Sequence, residues 1–136
     1  MGLNIYLNFN GNTEEAMNFY ANATGGKVLQ IQRFGDSPMP VAEEHKGKVL
    51  HGQVEVNGQT IMFSDAMDER RVTFGNNFAV ALDFKNDGDI DRAFAGLSEG
   101  GVVTMPLQDT FWGARFGMCT DKFGINWMFN HDKPQA

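Results

Sequence analysis

Apolar and polar side chains alternate at the start of the chain, where Ile5, Leu7 and Phe9 are separated by Tyr6 and Asn8. A period of two puts every second residue on one face, so the pattern predicts a half-buried β-strand over 4–9. After the polar turn Asn10-Gly11-Asn12 the period changes. Ala16, Phe19, Tyr20 and Ala23 recur at i, i+3, i+4 and i+7, which predicts an amphipathic helix. Asn12 is placed to cap that helix, with Glu15 three residues on in a variant of the capping box, and Gly25-Gly26 closes it. A second strand is expected over 28–34 and a loop over 35–48, where glycine and proline interrupt the pattern. A hairpin follows, its arms at 49–56 and 60–64 joined at Asn57-Gly58. Along the first arm, Leu50, Val54 and Val56 face one way and His51, Gln53 and Glu55 the other.

The same order then returns. A strand is expected over 78–84, a polar cap region at Asp87 and Asp89, and a helix carrying Ile90, Ala93, Phe94 and Leu97 that stops at Gly100-Gly101. Strands over 102–107, 114–120 and 125–130 complete it. At an offset of 75, Ile5/Val80, Leu7/Leu82, Phe9/Phe84, Phe19/Phe94 and Val28/Val103 fall in register; at 66, so do Gly58/Gly124, Met62/Met128 and Phe63/Phe129. The change of offset fits a longer loop in the first copy. The chain is therefore expected to be a single α+β domain over 1–136, made of two βαβββ modules at about 1–67 and 77–132 with a linker at about 68–76. A unit this small does not bury its apolar face alone, so the copies are expected to share a core.

Composition narrows the partners. The 42% hydrophobic content, with 12 Phe and 8 Met among 136 residues, is enough for a substantial core. A net charge of -6 and a pI near 4.9 leave no basic stripe to neutralise phosphates, which argues against nucleic acid. No segment approaches the ~20 apolar residues of a membrane span, and the start MGLNIYLNFNG has neither a basic nor a long apolar leader region. The single Cys119 forms no intrachain disulfide, and a buried, inert thiol is expected there. A cytoplasmic protein is the expectation.

The segments YLNFNGNTEEAMNFY, GGKV, HGQVEVNGQTIMFSDAM and QDTFWGARFGMCTDKFGINWMFN resemble the PhnB-like group of the vicinal oxygen chelate superfamily, which includes glyoxalase I, bleomycin-resistance and fosfomycin-resistance proteins and extradiol dioxygenases. They span nearly the whole chain, and the DTFWGARFG…TDKFG…WMFN run is the more specific part. The resemblance implies two concave half-sheets lining a small-molecule cleft, and a homodimer. It also implies, in metal-using members, four ligands from the first and fourth strands of each module. Those positions fall here on Ile5, Met62, Val80 and Met128, and a one-residue shift brings up Tyr6, Ile61 or Phe63, Ala79 or Ala81, and Trp127 or Phe129. None offers an imidazole or carboxylate, so no metal and no other cofactor is expected.

Other residues are left to carry the site. Tyr6, Phe34, His51, Asp65, Trp112 and Arg115 are the candidate ligand-binding residues, and His51 is the candidate catalytic base. An imidazole is the side chain suited to proton transfer near neutrality, and aromatic walls with a few directed polar groups suit a small ligand. Parity alone leaves His51 on either the concave or the convex face. His45 and His131 are expected in the loop and the tail, in solvent. Asp65 has a turn-forming alternative, Arg115 can pair with Asp109 or Asp121, and Asp121 reads as a turn residue. Proteins of this kind have carried a methyltransferase label, but Gly25-Gly26 and Gly100-Gly101 end helices rather than open them, unlike a nucleotide-binding turn. Three functions are carried forward: a metal-free module that binds a small, cationic compound; an enzyme (lyase, isomerase or group transfer) with His51 as general base; and a metal enzyme with relocated ligands.

Overall fold

The computed structural model describes residues 2–67 and 70–133, so Asp68 and Glu69 of the expected linker lie outside it. The elements follow in the order β1 (Ile5–Phe9), α1 (Thr13–Thr24), β2 (Lys27–Arg33), β3 (Val49–Val56), β4 (Gln59–Asp65), β5 (Val80–Asp83), α2 (Asp87–Ser98), β6 (Val102–Asp109), β7 (Ala114–Thr120) and β8 (Asn126–Asp132). They form two four-stranded sheets, ordered β1-β4-β3-β2 and β5-β8-β7-β6. Each sheet holds one parallel pair, β1 with β4 and β5 with β8, and two antiparallel pairs. The first compact unit takes the chain up to Asn22 together with Gly26–Thr73; the second takes Phe74 onward together with Ala23–Gly25.

In the first unit, Leu7, Phe9, Val54, Val56, Ile61 and Phe63 are buried, as are Ala16, Met17 and Tyr20 of α1. Phe63 centres the cluster, with ring centroids 6.3 Å from Phe9 and 5.9 Å from Tyr20. Burying each such ring contributes about 1.5–3 kcal/mol. The second unit repeats the layout with Leu82, Phe84, Ile90, Leu97, Trp127 and Phe129. Both helices come close to the third strand of their sheet, and a glycine makes room for them. A Cβ on Gly52 would sit 2.6 Å from the Met17 sulfur, and one on Gly117 would sit 2.9 Å from the Phe94 ring and 3.0 Å from Leu107 Cα.

The hairpins differ by one residue. Asn57 and Gly58, at φ 51° and 81°, make the two-residue turn that Asn-Gly favours. In the second unit Asp121 N donates to Ile125 O at 2.8 Å and encloses three residues, the last being Gly124 at φ 99°. Asp121 is buried there and does more than turn the chain. Its carboxylate accepts from Phe123 N (2.7 Å), Ile125 N (3.1 Å) and Trp127 Nε1 (2.7 Å).

Several boundaries move from those the periodicity predicts. Short 3-10 turns at Phe34–Asp36 and Glu43–His45 order the first unit's loop, where Phe34 N donates to Lys48 O and Gly35 N to Lys46 O, each at 3.0 Å. β6 runs on through the exposed Pro106, which suits the outermost strand of a sheet because it lacks an N–H to donate. β8 continues to Asp132, so His131 belongs to a strand and not to a solvated tail. It is only 9% exposed, and its Nδ1–H donates to the Phe84 carbonyl at 2.9 Å.

Candidate functional site

The register of the first sheet decides which side His51 occupies. Gln32 pairs with His51 while Arg33 pairs with Val49, so Leu50 is an extra residue in β3. Such a bulge re-aims the side chains on either side of it. Val49 is buried with a methyl 3.4 Å from the Gly52 Cβ position, on the α1 side. His51, Gln53 and Glu55 stay half-buried on the opposite face. Directly paired residues share a face, so Tyr6, Met62, Gln53 and Gln30 form one row across all four strands. Asn8 and Ser64 lie along from Tyr6 and Met62, and Gln32 lies beside His51.

A hydrogen-bonded line runs through this face. Tyr6 Oη contacts His51 Nδ1, and Gln53 Nε2 lies 3.0 Å from His51 Nε2. The phenol and imidazole rings are tilted, with centroids 5.7 Å apart, and Tyr6 remains 46% exposed. Two wirings satisfy this line: the Gln53 amide nitrogen donates to Nε2 and Nδ1–H donates to the Tyr6 oxygen, or, with the amide turned over, Nε2–H donates to the Gln53 carbonyl and the Tyr6 O–H donates to Nδ1. In both, the two ring nitrogens are occupied and the exposed phenol ends the line.

The remaining sequence candidates do not gather around it. Phe34, 6% exposed, sits in the core of the first unit instead of on a pocket wall. Asp65 fastens three segments: Oδ1 accepts from Gly11 N (2.9 Å), Thr13 N (3.1 Å) and Thr13 Oγ1 (2.6 Å), and Oδ2 accepts from Val49 N (2.8 Å). It thus places a carboxylate at the start of α1, the role expected of Asn12. A hollow of about 370 Å³ opens beside it, lined by Asn12, Glu15, Glu44 and Lys48 among others. With every Asp65 contact directed to the protein, this hollow is polar lining above a structural carboxylate. Arg115 bonds Asp91 of α2 at 2.9 Å and Asp109 at 3.3 Å, which holds its guanidinium above the ordinary range. Its predicted partner Asp121 is engaged elsewhere. Trp112 is 55% exposed in the β6–β7 loop, edge-on to Phe111 and Phe116.

The corresponding face of the second sheet has another chemistry. The row equivalent to Tyr6, Met62, Gln53 and Gln30 reads Ala81, Met128, Met118 and Met105. The pairs Tyr6/Met62 and Ala81/Met128 are thus the first- and fourth-strand positions of the two open faces. They contain no imidazole, carboxylate or thiolate, and among the described residues no three His, Cys, Asp or Glu side chains come together. These residues do not fit the divalent metal that the superfamily's metal-using members hold. His51 and Tyr6 are the side chains that sequence reasoning placed in the site and that the fold brings into contact. Gln30 and Gln32 share this face, as does Gln53, which the alternation along β3 already put beside His51.

With this geometry in hand, comparison with known proteins is decisive at the level of family. The family described as 3-demethylubiquinone-9 3-methyltransferase matches residues 2–129. The chain belongs to this family. Protein YjdN of Escherichia coli (strain K12) is 32% identical over 145 residues, 99% of this chain and 98% of its own length. Protein PA1353 from Pseudomonas aeruginosa is 38% identical with a TM-score of 0.85, covering 98% of this chain and all of that one. A putative 3-demethylubiquinone-9 3-methyltransferase, PhnB protein, from Bacillus cereus is 29% identical with a TM-score of 0.79, covering 96% and 99%. In fold alone, a glyoxalase/bleomycin resistance protein/dioxygenase superfamily member from Sphaerobacter thermophilus matches at 19% identity and a TM-score of 0.60, over 97% and 98%. This PhnB-like chain accordingly has the glyoxalase/bleomycin-resistance fold, α+β with a repeated module. The methyltransferase in the family description has no glycine-rich cradle at the two glycine pairs, since Gly25 and Gly100, at φ 72° and 75°, close α1 and α2.

Proposed function

We propose that this PhnB-like protein binds a small, uncharged, oxygen-bearing molecule on the open face of its first sheet, without the superfamily's divalent metal. The observation that carries the reading is the Gln53–His51–Tyr6 line, which ends in an exposed phenol that can bond an oxygen-bearing ligand. Gln30, Gln32 and Asn8 continue the face with amides that both donate and accept. Local chemistry outweighs the net charge of -6, which pointed to a cationic ligand. Glu55, the carboxylate of the β3 face, pairs across the strands with Lys27. A homodimer in the cytoplasm is part of the same proposal, and light scattering that gives a monomer mass would remove the dimer.

The test is a thermal-shift screen of neutral metabolites with and without a chelator, because a ligand selective for the folded state raises apparent stability by mass action. A hit is expected to survive chelation and to lose about tenfold in affinity in Tyr6→Phe, the worth of one hydrogen bond. A hit that needs added divalent metal, or that is indifferent to Tyr6→Phe and His51→Ala, would sink the proposal. The second reading, an enzyme with His51 as general base, is favoured by the placement of the imidazole on an open face. It requires Gln53 to release Nε2 first. His51→Ala that keeps affinity and loses turnover would establish it.

A further inference from the structure

The second sheet carries three methionines side by side on adjacent strands. Met105 of β6 pairs with Met118 of β7, and Met118 pairs with Met128 of β8. All three are half-buried, neither sealed in the core nor fully in solvent. Their face is the one away from α2. Gly117, next to Met118, meets the Phe94 ring of that helix, and Cys119, on the other side of Met118, is buried on the same face as Gly117. Three of the chain's 8 methionines thus share one row, whereas the equivalent row of the first sheet holds Met62 alone.

Paired residues on neighbouring strands have Cβ atoms about 4.5–5.5 Å apart, and methionine has three rotatable bonds, so the outer two sulfurs can swing over the central one. A thioether is a soft, uncharged donor that selects monovalent d10 cations and ignores hard ones. Ala81, the fourth member of the row, adds no oxygen or nitrogen to compete. Phe116 precedes Gly117 on the strand and packs edge-on against Trp112 at 6.0 Å, an apolar margin that would exclude water from a weakly hydrated cation. We propose that Met105, Met118 and Met128 form a three-thioether site for a soft monovalent cation, Cu(I) in the cell and Ag(I) as its stand-in.

The test uses the whole protein with Ag(I), and with Cu(I) under anaerobic reducing conditions against a Cu(I)-specific chelating competitor. One ion per chain is expected, with the Cε methyl resonances of Met105, Met118 and Met128 shifting and that of Met62 unmoved. Leucine conserves the volume of methionine at tolerable cost, so the triple variant Met105→Leu, Met118→Leu, Met128→Leu should keep its circular dichroism and lose about a hundredfold or more in affinity. If the triple variant does not fold, Met118→Leu alone should lose about tenfold, because it removes the central donor. Cys119→Ser should bind as the parent does. Equal affinity in parent and Met→Leu variants, or loss of binding in Cys119→Ser, overturns the proposal.

Discussion

The two units have similar sides toward their helices and different open sides. Leu7/Leu82, Phe9/Phe84, Phe63/Phe129 and Gly52/Gly117 occupy equivalent buried or helix-contacting places. One layer away, Tyr6, His51 and Gln53 stand where Ala81, Phe116 and Met118 stand in the second copy. The helix side is constrained by close packing, where a change of one methylene is felt. The open side carries no such constraint, so one copy holds a polar line and the other a thioether row. The chemistry of this protein therefore has to be sought in what the repeat does not repeat.

The largest test of that contrast removes the two buried carboxylates that fasten each unit. Asp65→Ala strands the N–H groups of Gly11, Thr13 and Val49, and should cost about 3–5 kcal/mol. Asp121→Ala strands the Trp127 indole and two turn N–H groups, and should cost about 2–4 kcal/mol. Urea midpoints measure both. A loss below 1 kcal/mol for either would show that water replaces the carboxylate.

Smaller effects come from the glycines under the helices. Gly117→Ala meets the Leu107 backbone as well as the Phe94 ring and should cost about 2–3 kcal/mol, whereas Gly52→Ala meets the flexible end of Met17 and should cost about 1–2 kcal/mol. The reverse order in thermal melts would contradict the packing described.

The ionisable groups sharpen the comparison further. Burial pushes the Cys119 thiol above its ordinary value of 9.0. Above that value the unfolded chain sheds the proton while the folded chain keeps it, so stability falls as pH rises and is unaffected well below 9.0. Parent minus Cys119→Ala urea midpoints should show this alkaline decline, and a flat difference would count against a sealed thiol. In the first unit, hydrogen bonds from Arg33 at 2.8 Å and 3.0 Å hold the Glu14 carboxyl below its ordinary value. That contribution is present above pH 4.5 and is lost as pH falls through the depressed range. The pair is open to solvent, so Glu14→Gln should cost only about 0.5 kcal/mol at neutral pH and nothing in acid.

The doubled βαβββ order and the offsets of 75 and 66 were legible because periodicity reports which side of a strand is buried. The bulge at Leu50 was not, because an extra residue leaves no mark in an alternating pattern, and it turns Val49 to the α1 side instead of the His51 face. The work of Asp65 was hidden for a related reason: its donors come from α1 and β3, far along the chain. His131 lies at the 66 offset from Asp65, and both fell just past the strands expected over 60–64 and 125–130; β4 and β8 run on to Asp65 and Asp132 and take them in.

Pro106 has a bearing on behaviour in concentrated solution. A flank of unpaired peptide groups invites neighbouring chains to add on, and a residue without an amide hydrogen interrupts that template partway along. Replacing it would give the second sheet an adhesive border, so the ring of a single imino acid helps keep the molecules from growing into ribbons.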